Sequence, residues 1–412
     1  MSRLVMKFGG TSVANPDRIR RAAKRVAREV SNGHEVIVIV SAMAGKTNEL
    51  VGWVGETSPL YDAREYDAVV SSGENVTAGL MALTLQDMEI PARSWQGWQV
   101  PLRTSGAHGA ARIEEIPTGN LDRRFADGMK VAVVAGFQGI SAEGRITTLG
   151  RGGSDTTAVA FAAAHDAVRC DIYTDVDGVY TTDPRITHKA RKLDRIAFEE
   201  MLELASLGAK VLQTRSVELA MRYRVKLRVL SSFEDYSQDA GTLVCAEDEI
   251  MESNVVNGVA YSRDEAKMTL LGVDDRPGVA AAIFGPLAEA GVNVDMIVQN
   301  ISEHGHTDMT FSCPMDQVPR AEQAIEAARS AGAYDFSELI ADREVAKVSV
   351  VGIGMRSHAG VAAHMFQALR DESINIKVIT TSEIKISVLI DRKYMELAVQ
   401  ALHDAFALET RG

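Results

Sequence analysis

The sequence predicts an α/β layered domain with a mostly parallel sheet, followed by two ferredoxin-like units. Three observations carry this. Continuous apolar strands at 35–41 and 131–137 alternate with helical patterns, as expected where both faces of a parallel sheet are covered. Two glycine-rich turns, Lys7-Phe8-Gly9-Gly10-Thr11-Ser12 and Arg151-Gly152-Gly153-Ser154-Asp155-Thr156-Thr157, each follow a strand-like segment, and the second runs into an alanine-rich helix. The C-terminal part repeats itself at one constant offset: Gly278-Val279-Ala280-Ala281 returns as Gly360-Val361-Ala362-Ala363, Phe284 as Phe366, Leu287 as Leu369, Asn293 as Asn375 and Ile297 as Ile379.

In chain order, residues 4–8 form a short strand. Asn15-Pro16 is an N-cap with proline at the first helical position, and Ile19, Ala22, Ala23, Val26 and Val30 keep helical spacing up to Gly33. Residues 35–41 are the next inner strand. Ser71-Ser72-Gly73-Glu74 precedes a helix carrying Ala78, Met81, Ala82 and Leu85. Strands at 131–137 and 171–175 enclose a helix at 156–167, and the layered domain spans 1–245. Each repeat copy then reads strand, glycine-led helix, asparagine-bearing strand, strand (307–313; 384–390) and helix, the order of a β-α-β-β-α-β unit. The copies span 262–342 and 343–412.

With 412 residues, 46% hydrophobic and 24% charged, the chain has the composition of a globular protein of two or three domains. Its formal net charge is −12, so an anionic substrate must be held by local groups rather than by the overall field. No basic cluster is backed by aromatics, which excludes nucleic acid as a partner. The longest apolar runs, 36–40 and 131–135, are too short for a bilayer, and no signal-peptide core is evident. Cys170, Cys245 and Cys313 are odd in number and widely spaced, without a CxxC knuckle. A reducing cytoplasm is therefore expected. His34, His108, His165 and His188 lack metal-ligand spacing, so no metal site is expected.

Each motif also has a plainer explanation. Lys7 alone would be a solvated lysine at a strand end; the glycines after it let backbone approach a phosphate. Arg151 with its small residues would be a flexible surface turn capped by Ser154 or Asp155, yet an arginine ahead of a helix start suits an anion cradle better. The run Thr174-Asp175-Val176-Asp177-Gly178-Val179-Tyr180-Thr181-Thr182-Asp183-Pro184-Arg185 is either a hairpin-like loop with capping aspartates or a ligand loop at the C-terminal end of an inner strand, where α/β sheets place ligands. Glu74 taken alone is a first-turn carboxylate favoured by the helix dipole. Gly45-Lys46-Thr47 and Gly352-Ile353-Gly354 are decoys, because Val40 and Ser357 stand where nucleotide fingerprints need glycine. Trp95 and Trp98 read as packing or loop residues.

At these residues the chain resembles the aspartokinases of the amino-acid kinase superfamily, in the monofunctional type with a regulatory tail. The matching pieces are Lys7 to Ser12, Ser41-Ala42-Met43, Ser71 to Glu74, Val134 to Gly139, Thr148 to Thr157, Tyr173 to Arg185, Phe198 to Leu204, Gly208-Ala209-Lys210, Ser357 to Val361 and Thr380 to Glu383. They cover nearly the whole chain in the family's order. One departure is Ala359, where such relatives often carry proline before the glycine.

The resemblance implies transfer of the γ-phosphoryl of ATP, with Mg²⁺, to the β-carboxylate of L-aspartate. Lys7, Asp155 and Arg151 would be the catalytic groups. Phe8, Gly9, Gly10, Ser41, Ser154, Thr174, Asp175, Tyr180, Thr181, Thr182, Asp183, Pro184, Arg185 and Lys210 would join Lys7 around the nucleotide, with Gly9 and Gly10 supplying N–H donors. Ser41, Lys46, Thr47, Asn48, Glu49, Leu50, Glu74, Arg151, Gly152, Gly153 and Ser154 would hold aspartate. The tail would be two ACT domains pairing across subunits, in a homo-oligomer or with a short regulatory subunit started internally at Met251. Lysine and/or threonine would bind there through Asp274, Asn293, Val294, Asp295 and Gln299 in the first copy and Val361, Ala362, Asn375, Ile376 and Ser382 in the second. Asn293 and Asn375 would equally serve as turn residues. The alternatives are another enzyme of the superfamily, such as an acetylglutamate, glutamate or uridylate kinase, or an inactive amino-acid sensor.

Overall fold

The computed structural model describes residues 2–207, 211–234, 241–250, 254–301 and 305–410. Packing divides the chain into two units: Met1–Tyr180 with Lys192–Ser206 and Lys210–Glu252, and Thr181–Arg191 with Leu207–Ala209 and Ser253–Gly412.

The first unit is built on an eight-stranded sheet in the order Arg195–Ala197, Thr242–Cys245, Leu227–Ser231, Cys170–Thr174, Arg3–Phe8, Glu35–Val40, Val131–Ala135 and Ala92–Trp95. Neighbours run parallel except Leu227–Ser231 with Thr242–Cys245. The inner strands are apolar on both pleats because both are covered. Leu4, Met6, Phe8, Val36, Val38 and Val40 share one core with Ile19, Ala23 and Val26 of helix Pro16–Ser31 and Met81 and Leu85 of helix Ser72–Asp87. Helix Gly153–Ala164 buries ten consecutive residues, Gly153 to Ala162. Its second half is apolar all round, as suits a core helix, while Ser154, Asp155, Thr156 and Thr157 bring polar groups into the interior at its start. Asn15 caps its helix as expected, accepting from Arg18 N–H at 3.0 Å. The strand expected at 131–137 stops at Ala135, and Phe137 sits in the left-handed region at φ 68°. A smaller sheet of Ile113–Glu115, Arg103–Thr104, Gln138–Ser141 and Ile146–Thr148 flanks this point.

The second unit has one six-stranded antiparallel sheet in the order Ile297–Ile301, His306–Pro314, Gly258–Asp274, Glu338–Val351, Lys385–Asp391, Ile376–Thr381. Both repeats therefore contribute to one surface. The two long central strands each serve both copies: Val259 packs in the core of the second with Val348 and Met365, and Leu339 packs against the core of the first with Met268 and Ile283. A boundary at 342/343 thus falls inside a strand. Thr181–Arg191 packs with this unit, through Val259 N–H to Thr181 O (2.7 Å), Tyr261 OH to Asp183 Oδ2 (2.8 Å), and Lys189 Nζ to Asp404 Oδ1 (2.8 Å).

Leu85 is fully buried beneath the sheet. Leu85→Ala is expected to cost about 2–5 kcal/mol, read as a lower denaturation midpoint with unchanged substrate KM in the folded fraction.

Candidate active site

The site forms where parallel strands end at one level. Phe8 lies opposite Val40 on one side and Tyr173 on the other, and Val40 lies opposite Ala135. The residues that follow, Gly9, Ser41, Gly136 and Thr174, therefore emerge at the same edge, the C-terminal one that binds ligands in open α/β sheets. Ser41 N–H donates to Phe8 O (3.1 Å), Gly136 N–H to Val40 O (3.0 Å) and Gly9 N–H to Tyr173 O (3.2 Å).

Strand period two puts Lys7 on the pleat opposite Met6 and Phe8. There its Nζ meets Asp155 Oδ1 at 2.5 Å, with both side chains about nine-tenths buried. The contact is an ion pair lying off hydrogen-bond alignment. Asp155 stands in the first turn of helix Gly153–Ala164, where the helix dipole favours a carboxylate. That helix has no side-chain N-cap; Gly153 N–H donates to Gly150 O and Thr156 N–H to Gly152 O, which leaves the N–H groups of Ser154 and Asp155 between them to face an anion.

Two glycines make close approach possible. A Cβ on Gly10 would sit 2.9 Å from Ala42 O, and one on Gly153 would sit 2.7 Å from Phe137 Cδ2. Gly10 opens a short 3-10 turn, Gly10–Val13. Gly9 corrects one expectation: its N–H donates to Tyr173 O (3.2 Å), so it is not a free donor at the turn.

Glu74 is not the solvated first-turn carboxylate that its position alone suggests. It is 3% exposed, Oε1 accepts from Ala42 N–H at 3.0 Å, and Oε2 is buried without a hydrogen-bond partner among the described residues. Burial pushes its pKa up to about 7, opposed by the Ala42 hydrogen bond. Arg151 is exposed between Gly150 and Gly152, both left-handed at φ 75° and 71°. It makes no ion pair among the described residues. Ser154 is buried, its Oγ against the backbone of Gly136. Lys46 and Glu49 pair with each other at 2.5 Å on the exposed start of helix Lys46–Thr57, Thr47 and Asn48 follow Lys46 there, and Leu50 is buried.

Matching family models fall on this framework: an amino acid kinase family model on residues 2–231, and ACT domain models on 267–333 and 348–406. An aspartate kinase of Stutzerimonas stutzeri is 52% identical over 410 residues, covering 99% of this chain and 98% of the relative. The chain belongs to the aspartokinases. Its activity is accordingly that of an aspartate kinase. Among solved structures, E. coli aspartokinase III in complex with aspartate and ADP matches with TM-score 0.80 and 28% identity, over 98% of this chain and 99% of that one. The same E. coli enzyme in complex with lysine and aspartate matches with TM-score 0.77 over the same shares.

In this aspartokinase Lys7, Gly10, Ser41, Glu74, Arg151 to Asp155, Thr174 and Asp175 all belong to the first unit, as does Tyr180, whose hydroxyl donates to Asp177 Oδ1 (3.0 Å). Thr181, Thr182, Asp183, Pro184 and Arg185 pack with the second unit. Asp183 there behaves as the capping aspartate of the plainer explanation, accepting from Arg185 N–H at 2.9 Å. Its pKa is lowered chiefly by the Arg185 guanidinium. Lys210 and Met251 lie outside the described residues. In the tail, Asp295 is held by buried Lys347 at 2.7 Å, and Lys347 also pairs with Glu265 at 2.6 Å. Asp274 meets His306 at 3.3 Å, Gln299 lies on edge strand Ile297–Ile301, and Ile376 opens the opposite edge strand. Asn293 and Val294 precede that first edge strand, Asn375 precedes the second, Val361 and Ala362 open helix Val361–Asp371, and Ser382 N–H donates to Lys385 O.

Sequence reasoning missed Asp67 and Gln138. Asp67 is fully buried and accepts from three donors, and Gln138 Nε2 bridges Ser71 O and Asn75 Oδ1 at 2.9 Å each. Asp67 sits in no glycine motif or charge cluster, so no local signal marked it; Gln138 lies within the Val134 to Gly139 match, which assigns its side chain no role.

The raised pKa of Glu74 makes a sign-definite prediction. Its acid form is favoured in the folded chain, so as pH climbs from its ordinary 4.5 to about 7 the unfolded state loses its proton first and stability falls. Denaturant titrations of the ligand-free protein should show this decline across that window, and Glu74→Gln should flatten it.

Proposed function

We propose that this aspartate kinase transfers the γ-phosphoryl of ATP to the β-carboxylate of L-aspartate, giving 4-phospho-L-aspartate, with Lys7, Glu74, Arg151 and Asp155 as the working groups. The single observation that carries the assignment of roles is the orphaned, buried Oε2 of Glu74. A carboxylate left without a partner costs free energy unless a cation arrives, and the α-ammonium of an amino acid is such a cation. Arg151, exposed on a different turn of the same unit, suits the α-carboxylate in bidentate fashion.

Aspartate's own carboxylate, with an ordinary pKa of about 4, is ionised at neutral pH. The nucleophile needs no general base, and catalysis falls to alignment and charge neutralisation. Lys7 Nζ, fixed by Asp155, meets the transferring phosphoryl, while the Gly10 amide and the uncapped start of helix Gly153–Ala164 take further phosphate oxygens. Mg²⁺ would enter with the nucleotide, its phosphates supplying ligands; Asp175, exposed at the end of its strand, is the carboxylate placed to hold the ion's water shell. Thr174 and Tyr180 would hold the ribose and base.

The product opens the pathway to lysine, threonine and methionine. Feedback by lysine and/or threonine through the ACT tail belongs to the same proposal, supported by the E. coli enzyme solved with lysine. Edge strands Ile297–Ile301 and Ile376–Thr381, each paired on one side only among the described residues, support assembly with a second copy or with a short regulatory chain.

ADP release across a panel of amino acids, followed by hydroxylamine trapping of the acyl phosphate, tests the reaction: L-aspartate alone should give the hydroxamate. Lys7→Ala should lower kcat by about two orders of magnitude or more with a smaller change in aspartate KM, whereas Arg151→Ala should chiefly raise aspartate KM. Near-normal kinetics in both would refute these roles. Lysine or threonine at millimolar concentration, alone or together, should lower the rate; no effect from either would remove the feedback proposal.

A further inference from the structure

Behind the Arg151 turn lies a buried polar knot that the reaction as derived does not use. Asp67, on helix Ala63–Val70, is fully buried. One oxygen accepts from Thr148 Oγ1–H (2.5 Å), the other bonds His108 Nδ1 (2.7 Å), and Gly109 N–H reaches both at 3.1 Å. Those donors come from two segments, the 105–111 loop and the end of strand Ile146–Thr148. The same two segments are tied again where Ala111 N–H donates to Thr148 O (2.9 Å), and by Arg215, whose guanidinium donates to Leu149 O and Ala111 O at 2.9 Å each. The loop then lies against the substrate turn: a Cβ on Gly150 would stand 3.2 Å from Gly109 O. Arg151 follows directly. From its other side the turn is tied to the helix, Gly153 N–H donating to Gly150 O at 3.0 Å.

We propose that Asp67 is a positioning residue for aspartate recognition: by tying Thr148, His108 and Gly109 together it fixes the bed on which the Gly150–Gly152 turn rests, and so where Arg151 is presented. This rests on the role proposed for Arg151. A long arginine on a turn of two left-handed glycines has little local restraint, so its precision has to come from what the turn packs on. Asp67 supplies it because all its partners donate, and a carboxylate is the side chain that accepts from several donors at once.

Asp67→Asn keeps the size but turns one acceptor towards its partners as a donor. It should raise KM for L-aspartate about tenfold while KM for ATP stays within about twofold, and in an Arg151→Ala background it should add less than about twofold, since both act through one contact. Thr148→Val, near in volume, removes one donor and should move aspartate KM the same way by about threefold; if Asp67→Asn fails to fold, this variant and its combination with Arg151→Ala decide. Full additivity with Arg151→Ala, equal losses in both substrates' KM, or unchanged aspartate KM in the folded variants overturns the proposal. Arg151→Ala measured alone separates the two layers: if it leaves aspartate KM unchanged, the role of Arg151 falls and Asp67 with it, and if it raises KM while Asp67→Asn does not, Asp67 alone falls.

Discussion

The catalytic unit depends on holding a lysine–carboxylate pair almost out of water at the level ends of parallel strands. Taking Lys7 and Asp155 out of solvent is costly, and their contact at 2.5 Å offsets it only because strand and helix meet at fixed geometry. That geometry comes from register: Phe8, Val40, Ala135 and Tyr173 sit at one height, and a fully buried helix start brings Asp155 to the next pleat. In the proposed role, a charge preset this way would need no reorganisation when a polyphosphate arrives, which is where electrostatic catalysis gains most. The glycines are the counterpart of this rigidity, since Gly10 and Gly153 allow backbone contacts that any Cβ would forbid.

Around that pair the unit handles an anionic substrate on a chain of net charge −12. It does so by placing single groups rather than by field. Among the described residues, Glu74 is buried with one carboxylate oxygen unpartnered and a raised pKa, and Arg151 makes no ion pair on its exposed turn. In the proposed roles, two opposite demands are met by opposite environments: desolvation for Glu74, which would receive the ammonium, and exposure for Arg151, which would grip the carboxylate.

Much of this was legible in the sequence. Continuous apolar runs marked the inner strands because both pleats are covered, and glycine next to a cation marked the turns at Lys7 and Arg151. The repeat at Gly278 and Gly360 marked the tandem ACT units. What was not legible depends on contacts distant in the chain. Glu74 looks like a dipole-favoured surface acid until Ala42 is seen against it. Gly9 looks like a phosphate donor until Tyr173 takes its N–H. Asp67 carries no local mark, because its partners lie on two other segments. The long strands Gly258–Asp274 and Glu338–Val351 each serve both copies, which a repeat boundary read from sequence splits.

The most direct measurement is a crystal structure of the protein with L-aspartate and a non-hydrolysable ATP analogue. The aspartate ammonium should lie on Glu74 Oε2, its α-carboxylate on Arg151, and a phosphate oxygen on Lys7 Nζ with the Lys7–Asp155 pair intact. Aspartate bound elsewhere, or Lys7 and Arg151 facing away from any shared cavity, would contradict these roles.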